Sequence, residues 1–362
     1  MAKKRVLICP LDWGLGHATR DVIIIQQLID AGFDVIIGAD KAPLYFLRQS
    51  FPGIPFIVIP SVKIQYPEKA WQMPFKMLIL SPKIAWGIWS EHQFLKNLLK
   101  SDQIDILISD NRYGLWNKSV YCIFITHQLQ IMAPVYLKWM EFLLLFLNKW
   151  FIKQFNACWI PDSNDESNLS GKLSHLKKMP KNVSFTGSLS RFPVSSPGHR
   201  LPESVNKAFD LLIILSGPEP QRSMLEKTIL LQATDAKMKI LLVQGRPDRP
   251  IFAQSGDITI VNHLITEHLE KLILETPFII ARSGYTSIMD LVSLKKTAIL
   301  IPTPGQTEQE YLAKYMTKKK WFIGKLQDSF SLTDAINELK CFNPEPFPNI
   351  KSDLQETLSK LL

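Results

Sequence analysis

A chain of 362 residues is longer than one hydrophobic core usually serves, so two domains are expected. Its apolar share of 46% excludes an intrinsically disordered protein. The balance of 42 Lys and Arg against 33 Asp and Glu leaves +9, which favours anionic partners such as nucleotides or acidic headgroups without naming one.

The basic start is followed by an apolar stretch too short for a signal peptide, so secretion is not expected. Cys9, Cys122, Cys158 and Cys341 are scattered, three of them in or beside apolar runs. Neither a disulfide framework nor a zinc site is expected, and a reducing cytoplasm fits.

Apolar runs at 5–10, 34–39, 56–59, 104–109 and 121–125 predict buried strands, and their unbroken character predicts a parallel sheet covered on both faces. Between the first run and the first helical pattern stands Asp12-Trp13-Gly14-Leu15-Gly16-His17-Ala18-Thr19-Arg20. Gly14 and Gly16 allow a sharp turn and let a ligand reach the amides of a helix N-terminus, although such turns also arise for steric reasons alone. His17 sharpens the pattern, because a helix N-terminus disfavours imidazolium and keeps the ring neutral, as a general base must be. Asp110 and His127 follow predicted strands, at the sheet edge that holds the ligand crevice in open α/β folds. The three are candidates for one pocket, with a helix cap as the alternative for Asp110.

Residues 71–89 and 131–155 are rich in Trp, Phe, Leu, Met and Lys, yet neither offers ~20 uninterrupted apolar residues, so neither should span a bilayer. They suit helices lying in the headgroup region, or helices buried in the N-terminal core.

Residues 187–206 abound in Pro, Gly and Ser and break every periodicity. The expected organisation is an N-terminal domain over 1–190, a linker over 191–206, a second domain over 207–345, and a C-terminal helical segment over 346–362 that returns to the first domain. In the second domain, runs at 211–215, 239–244, 258–261, 278–281 and 297–301 predict another doubly wound α/β unit.

Its most telling stretch runs from Ile279 through Arg282-Ser283-Gly284-Tyr285-Thr286 to Asp290, then through Pro302 to Gly305-Gln306-Thr307-Glu308-Gln309. A strand ends there in a small-residue turn that opens a helix. Amides and hydroxyls at Ser283, Gly284 and Thr286 can cradle a diphosphate, with Arg282 supplying charge nearby. Asp290, two turns into the helix, can accept from ribose hydroxyls, and Gln309 opens the next helix toward the same cavity.

This segment resembles the donor-site signature of family 28 glycosyltransferases, and most of the chain fits that pattern in order, from Gly14-Leu15-Gly16-His17 to Thr307-Glu308-Gln309. The resemblance implies a GT-B fold, α/β, with two Rossmann-like doubly wound parallel-sheet domains facing each other across a cleft. It implies an inverting transfer from a UDP-sugar to a hydroxyl acceptor, with lipid-linked acceptors favoured. UDP-sugar is then a co-substrate, and neither a cofactor, a metal nor nucleic acid is implied. By the same likeness Asp290 contacts ribose, Ser283 and Gly284 form the phosphate turn, Glu308 and Gln309 lie by the donor, and Asn262 and His263 fall where backbone meets uracil. His17 is the N-terminal loop histidine, and His127 faces the acceptor.

The sequence departs from the family in Gly-Leu-Gly-His, where a double glycine is usual, and in Ser216-Gly217-Pro218-Glu219-Pro220-Gln221-Arg222. Gly217 and Arg222 remain candidates for phosphate. Such a protein works in the cytoplasm, possibly at the inner membrane surface. Competing readings are a UDP-sugar 2-epimerase of the same architecture, a non-catalytic nucleotide-sugar-binding protein, and a nicotinamide-dependent dehydrogenase using Asp40.

Overall fold

The computed structural model describes residues 3–62, 66–192, 205, 207–234, 236–248 and 252–361, so most of the predicted linker at 191–206 lies outside the described residues. The chain divides into two compact units. The first comprises Met1–Ile64, Pro74–Arg191 and Asn349–Leu362, and the second Gln65–Met73 and Phe192–Pro348.

Unit 1 is built on strands β1 (Arg5–Pro10), β2 (Asp34–Ala39), β3 (Phe56–Val58), β4 (Ile106–Asp110), β5 (Tyr121–Ile125), β6 (Ala157–Ile160) and β7 (Val183–Phe185). They form one parallel sheet in the order β3-β2-β1-β4-β5-β6-β7. Its central strands are apolar on both faces because helices cover both: Leu7, Cys9, Leu107, Cys122, Phe124 and Cys158 lie in one buried cluster. The covering helices include α1 (Gly16–Asp30), α2 (Lys41–Ser50), α3 (Met73–Ser101) and α4 (Met140–Ile152). Asp40 caps α2, its carboxylate accepting from the Lys41 amide at 2.9 Å, a role that satisfies the residue without any ribose.

The last two of these helices answer the question left by the aromatic stretches. Trp71, Phe75, Ile79, Trp86, Trp89, Trp139, Phe142, Phe146 and Trp150 are exposed, Phe142 at 80% and Ile79 at 77%, and within α4 only Asn148 and Ile152 are buried. Burial in the N-terminal core is therefore ruled out for these faces. No helix among the described residues is long and apolar enough to cross a membrane.

Unit 2 carries β8 (Leu211–Ile214), β9 (Ile240–Val243), β10 (Phe252–Ser255), β11 (Ile258–Val261), β12 (Phe278–Arg282), β13 (Ile299–Ile301) and β14 (Ile323–Gly324), in the order β10-β11-β9-β8-β12-β13-β14. All neighbours are parallel except β10, which pairs antiparallel to β11 at the edge. Helices α5 (Gln221–Ala233), α6 (Thr266–Glu275), α7 (Tyr285–Ser293), α8 (Thr307–Lys318) and α9 (Leu332–Cys341) accompany it. Sequence patterning misses β6, β7, β10 and β14; of these only β6 is an unbroken apolar run, and β10 is exposed along its whole length.

Segment 66–73 is held within unit 2. The Gln221 Nε2 donates to the carbonyls of Pro67 (3.0 Å) and Glu68 (2.8 Å), and the Tyr66 amide donates to Glu219 O at 3.3 Å. The chain ends in α10 (Leu354–Ser359), which buries Leu354 and Leu358 in unit 1, while Asp353 N donates to Thr186 O at 2.8 Å beside β7.

Candidate functional site

Among the parallel strands of each sheet the order reverses once, between β1 and β4 in unit 1 and between β8 and β12 in unit 2. Beyond the carboxyl ends of such strand pairs the connections run in opposite directions and leave a crevice. The candidate residues converge on these two places.

In unit 1 the loop after β1 adopts φ +132° at Gly14, a conformation that L side chains rarely take, and no atom lies within 4 Å of where a Cβ would stand. Conformation rather than crowding therefore calls for glycine. Leu11 N donates to Asp110 O at 3.0 Å, tying this loop to the end of β4, and α1 starts at Gly16. His17, in the first turn, places Nδ1 3.1 Å from Asp110 Oδ1. Arg20, one turn on, is 1% exposed and donates from Nε to Asp110 Oδ2 at 2.7 Å and from Nη2 to Oδ1. Its Nη1 lies 3.1 Å from His127 Nδ1, and its Nη2 lies 3.0 Å from His17 Nδ1. His17, Asp110 and His127 are thus brought together, and Arg20, which the sequence reading passed over, is the residue that joins them.

The electrostatics follow from burial plus one cation. Burial alone would raise the Asp110 carboxyl, but the Arg20 charge, then that of His17, and their hydrogen bonds hold it well below the usual carboxylate range. His17 is pushed below an ordinary imidazole, by burial first; Asp110 pulls it up, while Arg20 and His127 push it further down. Asp21, fully buried, feels the charge of Asp110, and its oxygens form no hydrogen bond of normal geometry. Burial, then Asp110, raises its carboxyl well above the ordinary value against the pull of Arg20. The cluster therefore holds an ionised Asp110 paired to Arg20, a carboxyl in Asp21 biased toward its neutral form, and a His17 ring biased the same way.

Asn148 joins α4 to the stretch that follows His127, its Nδ2 donating to the carbonyls of Gln128 (2.8 Å) and Leu129 (2.9 Å) while its Oδ1 accepts from the Tyr113 hydroxyl at 3.0 Å.

In unit 2 three loops meet at the ends of β8, β12 and β13. Gly217 has φ +97°, and a Cβ there would stand 3.3 Å from Thr303 Oγ1. Ser283 is fully buried and donates its hydroxyl to Gln309 O at 2.9 Å, and Gln309 Oε1 accepts from Thr303 N at 2.9 Å. Gly284 caps α7, so the amides at the start of that helix open beside it; its Cβ position lies 3.9 Å from Gln309 Nε2. Thr286 and Asp290 lie on α7, 8% and 5% exposed, and Glu308 is in the first turn of α8. The turn, Gln309 and the loop at Gly217 are thus brought together.

Two arginines of the expected donor site have partners within the protein. Arg282 is fully buried, donating to the carbonyls of Gln221 (2.8 Å) and Pro302 (3.1 Å), and burial, followed by the Arg222 charge, lowers its pKa to about 9. It thereby braces two loops. Arg222 donates from Nε to Glu219 (2.8 Å) and from Nη1 to Glu226 (2.7 Å), so carboxylates already occupy its fork. Glu219 also takes Arg246 Nη2, and although burial opposes it, Arg222 and Ser223 bring its pKa down to about 2. Asn262 lies after β11, its Nδ2 donating to Arg246 O at 3.2 Å, with His263 next to it, half-buried. Tyr66 is raised to about 12 by burial and then by the nearby Glu308, which puts the 66–73 segment beside α8.

Residues 227–361 match the glycosyltransferase family 28 C-terminal domain. Among solved structures, spinosyn rhamnosyltransferase SpnG shares 13% identity over 99% of this chain and 95% of its own, with a TM-score of 0.63. The same enzyme complexed with thymidine diphosphate gives 13% identity, the same coverage and a TM-score of 0.61. The glycosyltransferase SnogD from Streptomyces nogalater shares 11% identity over 99% of this chain and 98% of its own, with a TM-score of 0.59. At these identities the likeness is one of fold. No curated protein sequence matches the chain.

Proposed function

We propose that this chain, a family 28-type GT-B glycosyltransferase, moves a sugar from UDP to the hydroxyl of a lipid-linked acceptor by one inverting displacement without a metal. The observation that carries the reading is the pair of switch-point sites: an ionised Asp110 behind His17 in unit 1, and the Ser283–Gly284 turn at the head of α7 in unit 2.

In this reading unit 2 holds the nucleotide. The amides opening α7 receive the diphosphate, Asp290 receives the ribose hydroxyls, and Gln309 reaches the sugar side. Charge that builds on the departing UDP meets preoriented amides, the α7 dipole and the field of buried Arg282, the kind of fixed stabilisation that transfer reactions require. In unit 1, His17 takes the acceptor's proton as its oxygen attacks the anomeric carbon, and Asp110 balances the imidazolium that results. The thymidine diphosphate bound by SpnG shows that a protein of this fold accepts a nucleoside diphosphate, which supports the class of donor but not the base.

The exposed aromatic faces of α3 and α4 support a lipid-surface location. Lysines 76, 83, 96 and 100 lie on α3, whose acid Glu91 is paired to buried Arg112 at 3.0 Å. On α4 the acid Glu141 accepts from Ala133 N, while Lys149 and the following Lys153 remain basic. Apolar side chains with net positive charge suit an anionic leaflet.

Incubation with several UDP-sugars, the TDP counterparts and a membrane lipid extract, read by mass spectrometry, tests the proposal. A glycosylated lipid with release of UDP is expected. Calorimetry that finds no uptake of any nucleoside diphosphate at millimolar concentration by folded protein would overturn it.

A further inference from the structure

We propose that Arg20 is a positioning residue that fixes the ring hydrogens of both histidines, directly on Nε2 of His127 and, through the Asp110 carboxylate it holds, on Nδ1 of His17. The inference deepens the proposed function and rests on His17 being its base. It makes His17 Nε2 the lone-pair nitrogen that receives a proton, and it makes His127 a hydrogen-bond donor rather than a second base.

A guanidinium carries five N–H donors and no acceptor. Its Nη1 lies 3.1 Å from His127 Nδ1, so that nitrogen must offer a lone pair, and the ring hydrogen of His127 falls on Nε2. The opposite tautomer would set two N–H groups against each other around a side chain that is 1% exposed, where water cannot separate them.

For His17 two partners compete at Nδ1: Arg20 Nη2 at 3.0 Å and Asp110 Oδ1 at 3.1 Å. Arg20 Nη2 also donates to that same Oδ1, and Nε donates to Oδ2. A hydrogen bond to a carboxylate is stronger than one to a neutral imidazole, and a carboxylate oxygen accepts two. The Nε hydrogen and one Nη2 hydrogen of Arg20 therefore go to Asp110, and Nδ1–H of His17 donates to Oδ1 alongside them. The charged and titratable groups facing this arrangement are Arg20 and Asp21 from α1, Asp110 from β4, and the two rings themselves. His17 keeps 16% of its side chain exposed although its Nδ1 edge is spent inside the cluster.

The test is a two-bond proton–nitrogen correlation spectrum of the full chain labelled with ¹⁵N-histidine, assigned with His17→Gln and His127→Gln. Near neutral pH His17 should show a protonated Nδ1 and a bare Nε2, and His127 the reverse. Either ring in the other tautomer overturns the proposal. Arg20→Lys keeps the charge but cannot span the three partners. It should mix the His127 tautomers and lower kcat about 10–100-fold, the usual loss when a residue orienting a working histidine is removed, with donor KM unchanged. Guanidinium added to Arg20→Ala should recover part of that rate. An Arg20→Lys protein with wild-type tautomers and kcat refutes the assignment. If Arg20→Lys fails to fold, the wild-type spectrum decides alone. The spectrum needs no substrate, so a failure of the transferase reading leaves it interpretable.

Discussion

Replacing His17 with Ala probes the chemistry most directly. A positioned general base contributes about 10²–10⁴ in rate. An ionised carboxylate behind the ring adds to that, since Asp110 is available to balance the imidazolium formed in the transition state. The expected loss in kcat is therefore about 10³–10⁴, or about 4–5.5 kcal/mol of transition-state stabilisation. The fold should survive, because Asp110 retains the donors of Arg20 and only one hydrogen bond, worth about 1 kcal/mol, is removed. UDP affinity should stay unchanged, since the donor residues belong to unit 2. The pH profile adds an independent reading. A base works when unprotonated, and burial lowers the pKa of His17, so the acid limb of kcat/KM in the wild type should lie below the ordinary imidazole range and vanish in the variant. Steady-state rates across pH, with calorimetric UDP titration, check all three points. Undiminished kcat, or an acid limb that persists in His17→Ala, refutes the reasoning.

Three further outcomes are expected. Asp21→Asn should change kcat little, because the carboxyl is already biased toward its neutral form. A raised carboxyl binds a proton in the folded state that the unfolded chain releases, so wild-type stability falls as pH rises through the carboxylate range toward the raised value; the variant should lose that fall, as denaturant melts at acid and neutral pH will show. Asp290→Asn should weaken UDP about tenfold by calorimetry, the loss of a charge-assisted hydrogen bond to ribose, and unchanged affinity would remove Asp290 from the site. Phe142→Asp combined with Phe146→Asp should lower the partition coefficient onto anionic vesicles, read by sedimentation, by at least about 100-fold, given about 1.5–3 kcal/mol per buried Phe, while UDP binding holds; equal sedimentation would refute docking through α4.

What the sequence determined by itself was what period and local chemistry encode. Unbroken apolar runs announced the central strands of both sheets, because a strand buried on two faces has no polar alternation, and the small-residue turns at Gly14 and Ser283 were visible because only such residues let a strand pass into a helix beside a ligand. Strands as short as β3 and β13 were visible, whereas β7, β10 and β14 escaped because none carries a run of four apolar residues, and β6 because it abuts the apolar stretch 131–155. Only the tertiary structure decided which charges face which. Arg20 read as one more helical residue until the reversal between β1 and β4 brought Asp110 and His127 against it across about a hundred positions of chain. Nothing in the pattern around Arg282, read as charge near the phosphates, or Arg222, a candidate for phosphate, foretold the carbonyls and carboxylates of their own chain that they meet in the fold. Whether the aromatic helices were core or surface also awaited the fold, since hydropathy measures what a side chain prefers and not what the rest of the chain leaves beside it.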